Sequence, residues 1–97
     1  MKNIIITGAS KGIGKAIAKS LRKKYHIINI DIVENKMDGV DFYKCDFSDK
    51  GQLLKTIEKI KINIDSLYAL VNNAAMFSKK ILEKQTFEAW ENIINTN

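Results

Sequence analysis

Thr7-Gly8-Ala9-Ser10-Lys11-Gly12-Ile13-Gly14 decides how this chain folds. Ahead of it, Asn3 to Thr7 is a short β-branched run with the length of a buried strand. Behind it the spacing changes. Ile13, Ile17 and Leu21 recur every four residues, and Ala16 and Ala18 favour a helix that fades by Lys24. The octapeptide is therefore a strand-to-helix turn. Its three glycines permit backbone angles closed to other residues and leave room for a ligand to approach the main chain. The helix that opens near Gly12 offers amides without intrahelical acceptors and the positive end of its dipole, a site suited to a pyrophosphate-like anion. Ser10 is expected to add a hydroxyl at the mouth, and Lys11 a positive charge.

The remaining pattern repeats the alternation. His26 to Asp31 predicts a second strand, Glu34 to Gly39 a polar loop, and Val40 to Lys44 a third strand. Ser48 is placed to cap a helix whose apolar face is Leu53, Leu54, Ile57 and Ile60. Leu67 to Val71 predicts a fourth strand, and Thr86 a last helix carrying Phe87, Trp90, Ile93 and Ile94. The order β-α-β-β-α-β-α implies an α/β fold, a parallel sheet with helices on both faces. Ile4-Ile5-Ile6 and Leu70-Val71 lack polar alternation, as strands covered on both sides do.

Composition narrows the function classes. A chain of 97 residues supports one small core, so residues 1–97 are read as part of a single domain. Apolar residues at 45% and charged residues at 28% exclude a disordered chain. The net charge is +5, but the basic residues are spread from Lys2 to Lys84 and interleave with apolar positions. The tightest run, Arg22-Lys23-Lys24, falls where a helix ends and cations complement its dipole. These are solvated helix faces, and no nucleic-acid partner is expected. A single cysteine, Cys45, excludes an internal disulfide framework and a multi-cysteine metal site. No run resembles a secretory signal or approaches the roughly 20 apolar residues of a membrane span. The expectation is a cytoplasmic protein with no membrane partner and no metal.

Asp31 closes the second strand, 17 residues beyond Gly14. A carboxylate there can accept hydrogen bonds from both hydroxyls of an adenosine ribose and would repel a 2′-phosphate, which favours NAD over NADP. The glycine spacing, Gly-x-x-x-Gly-x-Gly, together with this Asp, resembles the ordinary branch of the short-chain dehydrogenase/reductase family. Three more segments strengthen the resemblance. Cys45-Asp46-Phe47 follows the third strand, where the family places an Asp against adenine. Asn72-Asn73-Ala74-Ala75 ends the fourth, where the family has Asn-Asn-Ala-Gly. Trp90 to Asn97 is similar to the family's Trp-containing helix.

The resemblance implies a Rossmann-like sheet of about four strands in the order 3-2-1-4. It implies a dinucleotide held by Gly8, Ser10, Lys11, Gly12, Ile13, Gly14, Asp31, Asp46, Phe47, Asn73, Ala74 and Ala75. Two departures are visible. Ala75 replaces the usual glycine, and Lys11 is a basic residue of the kind that accompanies NADP in this family. Asp31 is followed by apolar Ile32 and Val33 rather than by a cation, so NAD is the expected cofactor.

Family members transfer a hydride between nicotinamide and a carbonyl or alcohol carbon with a Ser and a Tyr-x-x-x-Lys pair. A Tyr side chain with a pKa of ~10 needs that neighbouring cation to work near neutrality. The pair is absent from these 97 residues: Tyr25, Tyr43 and Tyr68 are followed four on by Asn29, Phe47 and Asn72. Only Asn97 matches a catalytic position. The chain is therefore expected to be the truncated, inactive, cofactor-binding front part of a short-chain oxidoreductase, whose substrate is not readable. The alternative is a non-catalytic NAD(H)-sensing or nucleotide-binding module. Self-association through the fourth strand and the last helix is expected, because a truncated sheet exposes an edge. His26 is read as a strand-start residue and Cys45 as a small strand-end residue without thiolate character.

Overall fold

The computed structural model describes residues 1–73. Six elements follow the expected alternation: β1 (Asn3–Thr7), α1 (Gly12–Leu21), β2 (His26–Asp31), β3 (Val40–Lys44), α2 (Lys50–Asn63) and β4 (Ala69–Asn72). They form a four-stranded sheet in the order β3-β2-β1-β4, with every pairing parallel. The expected last helix from Thr86, and with it Trp90 and Asn97, lies outside the described residues, as do Ala74 and Ala75.

Strand alternation sorts the isoleucines onto two faces. Ile5, Ile28 and Ile30 pack with Leu53, Ile57 and Ile60 of α2 and with Cys45. Ile4, Ile6 and Ile27 pack on the other face with Ala9 and with Ala18 of α1. Both faces are covered, which explains why β1 and β2 read as nearly unbroken apolar runs.

Four details differ from the sequence expectation. The cap of α2 is Asp49, whose carboxylate accepts from the Gln52 amide at 3.1 Å; Ser48 instead donates to Asp46. The buried face of α2 is Leu53, Thr56, Ile57 and Ile60, an i, i+3, i+4, i+7 stripe, while Leu54 lies about 100° around the helix and is exposed. On α1 the buried residues are Gly14 and Ala18, with Ile17 and Leu21 half-buried and Ile13 74% exposed. Small residues at i and i+4 let this helix seat closely on the sheet, so its apolar stripe is narrower than the isoleucine spacing suggests. Finally, β4 begins at Ala69, in register with Ile4, and runs to Asn72 beside Thr7; Leu67 precedes it in the core.

Candidate functional site

Strand order reverses between β1 and β4, because β2 and β3 lie to one side of β1 and β4 to the other. In open parallel sheets, a crevice forms at that point beyond the carboxyl ends of the strands. Thr7, Asp31 and Asn72 end β1, β2 and β4 there, and the glycine turn leaves β1 over the same crevice.

The turn is shaped by two glycines with left-handed backbones, Gly8 (φ 73°) and Gly12 (φ 63°). A Cβ at Gly12 would meet nothing within 4 Å, so this glycine is required by its angle and faces open space. Gly14 differs. A Cβ there would overlap the Gly8 carbonyl oxygen and the Asn73 side-chain amide. The room Gly14 leaves is taken up by the close seating of α1 on the β1 and β4 ends, rather than held open for a ligand as expected. Lys11 occupies the N-cap of α1 in extended conformation and makes no side-chain cap, and the first turn carries no acidic residue. The amides of Gly12, Ile13 and Gly14 have no intrahelical acceptor by helix geometry, since the first such bond runs from Lys15 to the Lys11 carbonyl at 3.3 Å.

The turn is held from both flanks. On the β2 side, the Gly8 amide donates to the Ile30 carbonyl at 2.9 Å. The Ser10 amide donates to Asp31 Oδ2 at 3.1 Å, and the Ala9 amide to Asn29 Oδ1 at 2.9 Å. On the β4 side, Asn73 donates through Nδ2 to the Gly8 carbonyl at 3.0 Å, and its own amide donates to Thr7 Oγ1 at 3.0 Å. The structure thus brings Gly8, Ser10, Lys11, Gly12, Ile13, Gly14, Asp31 and Asn73 together at one end of the sheet.

Ser10 departs from expectation. Its hydroxyl is buried rather than presented at the mouth: it donates to the Val33 carbonyl at 2.5 Å and accepts from Asn29 Nδ2 at 3.0 Å. Asp31 also holds the Ile32 amide through Oδ1 at 2.7 Å. Its register partner on β3 is Lys44, whereas the residues directly after it in sequence, Ile32 and Val33, are apolar.

Asp46 and Phe47 lie just beyond β3. The Asp46 carboxylate accepts from both the hydroxyl (2.7 Å) and the amide (2.9 Å) of Ser48, and these bonds hold its pKa below the ordinary value. Phe47 is half-buried against the α2-side core. Cys45 is fully buried, and desolvation pushes its thiol pKa up, offset in part by the Thr56 hydroxyl. It is an inert core group, as read from sequence.

Asn29 is the residue that sequence reasoning missed at this end. A lone Asn within His-Ile-Ile-Asn-Ile-Asp is the available signal, since a polar side chain in a doubly covered strand needs a specific partner.

Comparison with known proteins agrees with this fold. The family model described as short chain dehydrogenase matches residues 2–97. The 3-oxoacyl-acyl-carrier-protein reductase FabG of Escherichia coli is 30% identical over 105 residues, covering 99% of this chain and 43% of the reductase. The crystal structure of a short chain dehydrogenase family protein from Francisella tularensis superposes with a TM-score of 0.78 at 26% identity, over 97% of this chain and 47% of that one. A 4-hydroxyisoleucine dehydrogenase complexed with NADH superposes with a TM-score of 0.70 at 25% identity, over 96% of this chain and 43% of that one. The chain spans less than half the length of these relatives.

Proposed function

The chain belongs to the short chain dehydrogenase family, and from that premise we propose that it holds a nicotinamide dinucleotide, NAD in preference to NADP, as the cofactor-binding part of an oxidoreductase. The first-turn amides of α1 take the pyrophosphate, and Asp31 takes the adenosine ribose. Ile13 and Lys11 flank the phosphates, and Asp46 and Phe47 border the adenine. The bound group would supply hydride transfer to or from a carbonyl or alcohol carbon. The accompanying proton would need a Ser with Tyr-x-x-x-Lys, a pattern that does not occur within these 97 residues.

The observation that carries this function is the joint between Ser10 and Asp31. One hydrogen bond of 3.1 Å ties the ribose-binding carboxylate to the turn whose far side opens α1. The anion site, which begins at the Gly12 amide, and the diol acceptor, which holds the Ser10 amide, thereby lie on one turn, as a ligand bearing both groups requires. The residues also fit the group chemically. The α1 N-terminus lacks an acidic or side-chain cap that would compete with a phosphate, and the Cβ direction of Gly12 is open.

Separate calorimetric titrations of the chain with NAD and with NADP test this function. NAD binds and NADP binds more weakly in the wild type. Equal affinities would remove the NAD preference, and binding of neither would remove the dinucleotide site itself.

A further inference from the structure

Asn29 is 1% exposed in a strand otherwise filled by Ile27, Ile28 and Ile30. It sits on the α1 side of the sheet, in register with Ile6. An apolar residue would satisfy the packing there, and a buried amide without partners is costly. Both ends of this amide are in use, and both partners belong to the glycine turn. Oδ1 accepts from the Ala9 amide, and Nδ2 donates to the Ser10 hydroxyl, which in turn donates a hydrogen bond to the Val33 carbonyl. Asn35 adds a bond from Nδ2 to the Ser10 carbonyl at 2.5 Å. The turn and the segment after β2 are thus joined by an oriented relay beneath the crevice.

Building on the dinucleotide site proposed above, we infer that Asn29 is a positioning residue. Through Ser10 it fixes the spacing between the anion-binding turn and the Asp31 carboxylate. A ligand spanning both sites depends on that spacing, whereas a ligand touching one of them does not. Preorganisation of this kind acts on the bipartite ligand because its two ends are captured together only when the gap is right.

The test compares NAD, which spans both sites, with adenosine, which reaches the Asp31 side alone. Asn29→Leu, close in volume, is expected to lower NAD affinity about tenfold, the equivalent of about 1.4 kcal/mol, while adenosine affinity changes less than about twofold. Ser10→Ala breaks the same relay with a smaller side chain and gives the same split, so it carries the test if Asn29→Leu does not fold. The double variant should bind NAD no worse than the weaker single variant by more than about twofold, because both remove one unit. Equal losses for NAD and adenosine would show that Asn29 is only structural. Unchanged NAD affinity, or fully additive losses, would equally overturn its positioning role. A wild-type chain that fails to bind NAD would instead bring down the dinucleotide site, a separable result.

Discussion

The two ends of the sheet use polar side chains in opposite ways. At the amino end, side chains bind strands to one another. The His26 ring nitrogens lie 2.6 Å from the Asn3 side-chain oxygen and 2.6 Å from an Asp41 carboxylate oxygen, and Asn3 donates to the Ser66 carbonyl at 2.9 Å. That chain of contacts runs from β3 through β2 and β1 to the approach of β4. Tyr25 stacks on Tyr68 at 5.7 Å, with Lys2 over the Tyr68 ring. At the carboxyl end, Asn29, Asp31 and Asn73 reach past the strands to main-chain groups of residues 8 to 10. One set of contacts ties down an edge. The other shapes a loop and leaves the first amides of α1 directed outward. Polar side chains thus hold one loop in place at the carboxyl end and tie strand to strand at the amino end.

The sharpest way to break the contrast is Gly14→Val. Its branched side chain would collide with the Gly8 carbonyl and the Asn73 amide, and the stability loss should reach about 3 kcal/mol or prevent folding. Chemical denaturation measures it. Gly12→Ala, by comparison, meets open space and carries only the left-handed backbone penalty of about 1–2 kcal/mol. If Gly14→Val folds with wild-type stability, the close seating of α1 is not what that glycine provides.

Asp31→Ala comes next. It should weaken NAD by roughly 10- to 100-fold, the span of about 1.4 to 2.7 kcal/mol expected for lost hydrogen bonds to a charged acceptor, and it should relax exclusion of NADP. Adding Lys44→Ala to that variant should then reduce NADP affinity, because Lys44 is the cation in register with position 31. Competition titrations report both changes.

Asp41→Asn acts at the opposite end. It should reduce stability by about 0.5–1 kcal/mol, since the contact with His26 is partly solvated, and it should leave NAD affinity unaltered. A change in NAD affinity would mean that the two ends are coupled, contrary to the division drawn above.

The smallest effect is at Ser48. Its two hydrogen bonds depress the Asp46 pKa, so their contribution is present above the unfolded carboxyl value and is lost as pH falls through the lower, folded value. Ser48→Ala should move the Asp46 titration up toward the ordinary aspartate value of 3.8 in carboxyl-detected NMR. An unmoved titration would assign the depression to other groups.

The strands and the glycine turn were legible because their signals are local. Unbroken isoleucine runs, a glycine spacing and the change of period after Gly12 all lie within a few residues of one another. The limits of β1 and β2 follow directly from these runs, and β3 has the limits expected of it. What stayed hidden depends on partners far along the chain. Asn29 meets Ala9 20 positions away, and His26 meets Asn3 and Asp41 at 23 and 15. Nothing next to either residue announces its partner. Ser10 was misjudged for the same reason, because the direction of a hydroxyl is set by the strand beneath it. The shift of the α2 cap from Ser48 to Asp49 is local but ambiguous, since both residue types cap well and Ser48 is already engaged by Asp46.

The bond from Asn73 to the Gly8 carbonyl closes a separation of 65 residues, whereas the Asn29 bond to Ala9 closes only 20. Loop-closure entropy rises with such separations, and distant pairings form late. The flank of the turn that faces β2 is therefore built from residues near it in sequence, and the flank that faces β4 from a residue far along the chain. Asn73 thus closes the second flank of the turn last in chain order, across the longest span of any contact that holds residues 8 to 10.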